Sequence, residues 1–375
     1  MPELPEIATM VRALRPRLLG RTVTHVVLED GGLVEGKSVA EVRAALLGRE
    51  IVVVVRQGKY MRLDLAGSVG GEWIDLFEPR RRNGSLKRSQ KSRPLPPDGC
   101  LVVRRPESLA EALQIGAGDD WIHGPAIEAI RTAEKRGHSS PITAENRAGL
   151  LEARRQQLGR YEAGERSSLV LHLKMTGRYF VMNDNGQALP PRTRLAMAVA
   201  GEEDHLVFGL KDVRRLARAQ LLVGAAAHDW PADLELGPDA LITRWSGVRL
   251  EKQVSGALPI KLALLDQSRL AGIGNIYASE VLNRTRIHPT RRADSLTTAE
   301  WNRLASAIPK LLRHSIRHWC SLSRWIGPSV EGYGDFGGEL RVYDRRGEAC
   351  RRCGGVVRSM VQAARTTYYC PDCQV

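Results

Sequence analysis

The sequence predicts a multidomain α+β protein: an N-terminal helix plus β-sandwich, then a helical domain, then a C-terminal four-cysteine finger. Three observations carry that expectation. A single helix-patterned stretch is followed by many short runs rich in β-branched residues. Past Asp229-Trp230-Pro231 the texture turns helical. The chain closes on Cys350 and Cys353, sixteen residues, then Cys370 and Cys373, two thiolate pairs that suit tetrahedral zinc.

Taken in order, residues 5–19 place Ile7, Met10, Val11, Leu14 and Leu18 at helical spacing, with Gly20 as the stop. Thr22 to Leu28 and Ile51 to Val55 read as strands, and Gln57-Gly58 as a turn into an alternating strand, Lys59 to Leu65. Further strands are expected at Ser168 to Leu173, Tyr179 to Met182, Leu195 to Val199 and His205 to Gly209. One helix followed by many short strands suggests a sandwich or barrel-like first domain, residues 1–230, interrupted by an insertion at about 67–167. Inside the insertion, residues 79–94 carry seven Lys or Arg and no acid, so exposure is expected there. Short helices are expected at 108–115 and 125–136, and a longer charged one at 144–158.

The helical domain, 231–326, has segments starting at Pro238-Asp239-Ala240-Leu241, running from Leu258 to Leu265, and from Ile276 to Leu282. Thr297 and Glu300 make a capping box for a helix reaching His318, which Pro309 should kink or break. Five glycines between Gly327 and Gly338 mark a loop, and residues 327–375 form that loop and a zinc-bearing hairpin.

Composition narrows the partners. The 375 residues include 56 Lys plus Arg against 42 Asp plus Glu, a net charge of +14, which favours a polyanion such as nucleic acid. Aromatics are only 5%, too few for stacking platforms to dominate. A transmembrane span is not expected, for want of a long uncharged apolar run, and Glu3 and Glu6 do not suit a secretory signal. The expected setting is therefore cytoplasmic and reducing, close to the nucleoid. Paired cysteines then read as metal ligands, one structural zinc per chain, and Cys100 and Cys320 as lone thiols.

Two stretches can do chemistry. If Met1 is removed, Pro2 presents a secondary amine followed at once by the Glu3 carboxylate. An α-amine, with a pKa of about 7.7–8.0 against about 10.4 for lysine, is more often neutral and nucleophilic at physiological pH. Glu3 could carry the accompanying proton transfers. Most prolines at this position simply begin a chain, so the pairing gains weight only from its context. The second stretch, Leu270-Ala271-Gly272-Ile273-Gly274-Asn275-Ile276-Tyr277, puts two glycines before a helical run, where N–H groups can hold an anion. A generic turn between packed helices is the competing reading. Between the cysteine pairs, Arg358, Arg365, Thr366, Thr367, Tyr368 and Tyr369 suit phosphate contact, although a ribbon for protein contact is also compatible.

Together these residues resemble the formamidopyrimidine-DNA glycosylases, a family shared with endonuclease VIII. The matches are Met1–Glu6, Gln57–Tyr60, His172–Gly177, Asp212–Arg215, Leu270–Glu280, Arg286–Pro289 and the cysteine pairs closing at Gln374. The resemblance implies a helix-two-turn-helix as the second domain. It implies a bifunctional DNA glycosylase and abasic-site lyase that removes oxidised purines (8-oxoguanine, formamidopyrimidines) by β,δ-elimination in base excision repair. Its partner would be duplex DNA holding oxidised bases or abasic sites, bound by a monomer away from any membrane. In the catalytic group, Pro2 would be the nucleophile, Glu3 the proton carrier, Lys59 the contact beside the lesion and Arg365 a phosphate clamp. Among DNA-binding residues, Asn275 would hold a phosphate and His172 would face DNA, though a packed histidine is the simpler local reading. Met175, Arg214 and Leu216 would fill the gap left by the extruded nucleotide.

Three departures qualify the match. Leu216 stands where the family has Phe, forfeiting stacking worth roughly 1–3 kcal/mol. The segment Ser329 to Phe336 is short. The family's short link between the Lys59 and His172 strands is here about a hundred residues long, an insertion that costs only about 0.6 kcal/mol per doubling of length. The alternatives are an endonuclease VIII-like enzyme for oxidised pyrimidines and a non-catalytic zinc-containing DNA-binding protein. The latter leaves the amine–carboxylate start unexplained.

Overall fold

The computed structural model describes residues 2–29, 32–67, 166–201, 204–227, 229–318 and 338–375. The basic run at 79–94, the helices expected at 108–158, Cys100, Cys320 and the 329–336 segment lie outside them.

The first helix, α1 (Leu4–Leu18), buries Leu4, Ile7, Met10, Val11, Leu14 and Leu18, and ends before Gly20, whose φ of +75° suits a residue with no Cβ. Eight strands follow: β1 (Thr22–Leu28), β2 (Glu50–Gln57), β3 (Tyr60–Ala66), β4 (Arg166–His172), β5 (Gly177–Asn183), β6 (Thr193–Ala200), β7 (His205–Asp212) and β8 (Arg218–Val223). Their order is β5-β7-β6-β1-β2-β3-β4-β8, every pairing antiparallel. β1 and β2 share only the Thr22–Glu50 pair, so the sheet folds into two four-stranded layers at that corner. Leu28, Leu195 and Leu210 of one layer enclose a single core with Val54, Leu63 and Leu169 of the other. α1 covers β2, where the Arg15 guanidinium donates to the Val54 carbonyl at 3.0 Å.

Two elements escaped the sequence reading. α2 (Val39–Leu46) is a short helix with a reciprocal Ser38–Glu41 capping box, and β8 closes one sheet edge. The β3–β4 pairing also reduces the insertion to a local event. Ala66 lies opposite Arg166, so the chain leaves the sheet and returns to it at facing positions.

The helical region holds α3 (Gly247–Val254), α4 (Ile260–Leu265), α5 (Asn275–Thr285) and α6 (Thr298–His318). The helix expected from Pro238 starts instead at Gly247, capped by Ser246. Asp239 does cap locally, accepting from the Leu241 N–H at 2.9 Å, but it organises a turn. α6 begins with the Thr297–Glu300 box and runs through Pro309 without a break. Buried Trp301, Leu304, Ala305, Ile308, Leu311 and Leu312 form a stripe on both sides of the proline, so packing outweighs the one intrahelical bond it cannot make. A final hairpin, β9 (Arg358–Gln362) and β10 (Arg365–Tyr369), lies between the cysteine pairs.

Candidate active site and nucleic-acid interface

α5 is the element on which the site is assembled. Its first N–H groups have no intrahelical acceptor, and the chain's own start supplies one. The Glu3 carboxylate accepts from the Ile276 N–H at 2.9 Å and the Tyr277 N–H at 3.5 Å, where the helix dipole also favours a negative charge. Both glycines of the preceding loop make room for this. A Cβ on Gly274 would lie 2.3 Å from Glu3 Cδ, and one on Gly272 (φ +108°) would lie 2.3 Å from Leu4 Cδ1. The anion held at this helix start is therefore the protein's own.

Glu3 is 1% exposed and Pro2 is buried beside it. Burial raises the Glu3 pKa above the usual carboxylate range, while Lys59 and the two N–H donors oppose the rise. Glu6 reaches back to the Glu3 N–H at 2.7 Å and takes the Tyr277 hydroxyl at 2.8 Å. Burial, with Glu3 adding, pushes its pKa up to about 7. Two carboxyls of raised pKa thus stand together at the start of the chain, an arrangement able to hold and pass a proton.

Lys59 stands at the turn between β2 and β3, 8% exposed, its pKa lowered by burial and by Arg365 against the pull of Glu3 and Glu6. A buried clamp positions that turn. The Arg56 guanidinium meets the Asp239 carboxylate at 2.7 Å, and Asp239 also accepts from the Gly58 N–H at 2.8 Å. Gly58 takes φ +55° against Ala271, so the lysine turn seats directly on the glycine loop. His172 lies across from Tyr60, ring centroids 4.4 Å apart, and its Nδ1 accepts from the Lys174 N–H at 3.0 Å. Burial pulls its pKa down to about 3, with Lys174 and Lys59 adding, so the ring is neutral.

Asn275 is engaged within the protein. Its Oδ1 accepts from Lys261 Nζ at 2.6 Å and its Nδ2 donates to the Thr366 carbonyl at 2.9 Å, joining α5 to the hairpin that carries Arg365. Lys261, which the sequence reading passed over, is fully buried and also donates to Thr367 Oγ1 at 2.6 Å. Burial, with Arg365 adding, lowers its pKa to about 8. Its signal in the sequence was faint, a lone lysine within the apolar Leu258–Leu265 run.

Met175, Arg214 and Leu216 share a separate rim. Met175 is in the β4–β5 turn, and the other two are in the β7–β8 turn. Asp212 joins these turns, taking the Thr176 hydroxyl at 2.5 Å, the Arg214 N–H at 3.3 Å and the Ala217 N–H at 2.7 Å. The apolar side chains stand 48% and 37% exposed on this shared base, available to a partner.

The four cysteine sulfurs lie within 4.8 Å of one another, with Cys350–Cys373 at 3.8 Å and Cys353–Cys370 at 3.6 Å. Zinc–sulfur bonds of about 2.3 Å imply tetrahedral edges of about 3.8 Å, so the cage fits one zinc. It docks on the far end of α5 through Gln374, which accepts from Asn283 at 3.2 Å and donates to the Ile287 carbonyl at 2.9 Å.

Comparison with known proteins gives the same three parts. Residues 1–85 match the formamidopyrimidine-DNA glycosylase N-terminal domain, 236–324 its H2TH domain and 347–375 the zinc finger found in FPG and IleRS. A formamidopyrimidine-DNA glycosylase from Nitratidesulfovibrio vulgaris is 30% identical over 390 aligned residues, covering all of both chains. One from Novosphingobium aromaticivorans is 34% identical over 230 residues, 59% of this chain and 80% of the relative. Among solved structures, Lactococcus lactis Fpg (MutM) with DNA containing an oxidised pyrimidine superposes with a TM-score of 0.65 at 21% identity, covering 100% of this chain and 99% of that one. The same protein with abasic-site DNA gives 0.61, at 21% identity and the same coverage. At that identity the likeness establishes the fold.

Proposed function

We propose, for a chain that belongs to the formamidopyrimidine-DNA glycosylase family, that it excises oxidised purines from duplex DNA and then cuts the abasic strand by β,δ-elimination. The family makes it a DNA glycosylase of DNA repair with one zinc in its finger. The substrate and the lyase step are our reading. The observation that carries them is the buried Glu3 carboxyl, held at the start of α5 with Pro2 on one side and Lys59 within electrostatic reach.

Once whatever precedes it is removed, the Pro2 nitrogen attacks C1′. The N–C1′ bond forms, the glycosidic bond breaks and the base leaves with the proton that the amine gives up. The C1′–O4′ bond of the resulting aminal then breaks, O4′ taking a proton, to give an iminium. Glu3, whose raised pKa lets it hold a proton, serves ring opening. The iminium acidifies C2′–H. Loss of that proton expels the 3′ phosphate, and a second elimination expels the 5′ one. Lys59, Arg365 and Asn275 would hold phosphates. Met175, Arg214 and Leu216 would fill the vacated stack, offsetting an unstacking cost of a few kcal/mol. The zinc finger serves by holding Arg365, since four thiolates leave no open coordination position. The protein is proposed to act as a cytoplasmic, nucleoid-associated monomer.

Incubation with duplexes bearing 8-oxoguanine, formamidopyrimidine, an oxidised pyrimidine or an abasic site, with borohydride present, tests this. Purine-lesion duplexes should give the most covalent adduct, with the DNA remnant on Pro2 by peptide mass spectrometry. A remnant on a lysine would refute the nucleophile assignment. The second reading, oxidised pyrimidines as preferred substrate, is favoured by the Lactococcus lactis protein having been solved with such DNA. It would be adopted if the pyrimidine duplex trapped best.

A further inference from the structure

We propose that His314, His318 and Glu339 form a second site, for a divalent transition metal, distinct from the four-cysteine finger. His314 and His318 are four residues apart on α6, so both rings project from one face, with centroids 4.2 Å apart. Glu339 comes from the chain leading into the finger and divides its carboxylate between them. One oxygen lies 2.5 Å from His314 Nε2 and the other 3.1 Å from His318 Nδ1. All three donor atoms fall within 4.8 Å of one another.

Two imidazoles and a carboxylate are a donor set for zinc or nickel, and three protein ligands leave a fourth position for water or a small anion. Bonds of about 2.0–2.2 Å imply tetrahedral edges of about 3.3–3.6 Å. The His318 edge is close to that already, and the His314 edge opens by rotation of a half-exposed carboxylate. Ordinary hydrogen bonding is the competing account. It accounts for each contact singly, whereas a shared ion accounts for three donor atoms from two chain segments converging within 4.8 Å of one another. A dication would take one nitrogen lone pair from each ring and a carboxylate oxygen from Glu339.

The surroundings bear on affinity. A cleft of about 590 Å³ beside the cluster is lined by Arg284, Arg341, Arg351 and Arg352 together with His314 and Glu339. Guanidinium groups repel a bare dication. Two of the four are committed elsewhere, since Arg284 pairs with Glu280 at 2.5 Å and Arg352 donates to the Asn283 and Arg284 carbonyls. The remaining pair favours an anion in the fourth position, so the site takes metal together with chloride or phosphate more readily than metal alone. When filled, it cross-links the end of α6 to the approach to the finger.

The test uses untagged, zinc-loaded protein dialysed against excess Ni2+ in chloride buffer, washed, and analysed for both metals. Wild type should retain its finger zinc and one nickel per chain. His318→Ala and Glu339→Gln, whose side chains are half-exposed and lie outside the DNA-cleaving machinery, should retain zinc and no nickel with unchanged circular dichroism. Wild type that binds no nickel would overturn the proposal, as would nickel that persists in both variants.

Discussion

Glu3 shows how much a single side chain is asked to do. Its carboxylate both caps α5 and adjoins Pro2 and Lys59, so substitutions must separate structure from chemistry. Glu3→Gln keeps an acceptor oxygen for the Ile276 N–H and loses the ionisable proton. Base removal in single-turnover assays should fall by about 10²–10⁴-fold, the usual worth of a general acid, with DNA affinity nearly unchanged. Glu6 makes a pH prediction. Its folded pKa of about 7 lies above its unfolded value, so the stability it contributes is fully present below about pH 4.5 and is lost as pH rises through 7. Glu6→Gln should flatten the stability–pH curve in that interval, as denaturant melts at several pH values would show. At this scale Pro2, Glu3 and Lys59 were legible because they sit in contiguous motifs. Arg56–Asp239 and Lys261–Thr367 were not, because their partners lie 183 and 106 residues apart and only the fold brings them together.

Among the elements, α5 is the hub. The sandwich reaches its start through Glu3, and the finger reaches its end through Gln374. Midway, buried Glu280 accepts from the N–H groups of Arg341, Val342 and Tyr343 at 2.9–3.0 Å and pairs with Arg284. Glu280→Ala would orphan all of these donors, and urea melts should show a loss on the order of 3 kcal/mol or more. Cys370→Ser, or chelation, should disorder the hairpin and weaken duplex binding through Arg365 while leaving Glu3 on α5, checked by fluorescence anisotropy and elemental analysis. α5 was readable from its glycines and apolar run, and α6 from its capping box. α2 carried an equally clear Ser38–Glu41 box, which an eight-residue element with little periodicity did not bring out. Asp239 misled in the opposite direction, since a capping residue marks a turn as readily as a helix.

For the whole molecule, the three-part order was legible because composition changes at each boundary. How the parts touch was not, since no pattern along the chain reveals which loop meets which helix. The facing pair Ala66–Arg166 makes the insertion separable from the sheet. Replacing residues 68–165 by a short Asn-Gly turn should leave zinc content and lesion trapping intact, and thermal unfolding cooperative. If residues 79–94 contact phosphates, the salt slope of duplex affinity should also become shallower in that variant. The same topology sets an order of events during synthesis. Glu3 cannot dock until Ile276 and Tyr277 exist, which at about 5–20 residues per second leaves the chain's start undocked for roughly 14–55 s. If Pro2 is the nucleophile as proposed, an aminopeptidase that uncovers its nitrogen has that interval, because Pro2 is buried once α5 is in place. The segment between β3 and β4, which separates the two docking partners along the chain, extends the interval by about 5–20 s.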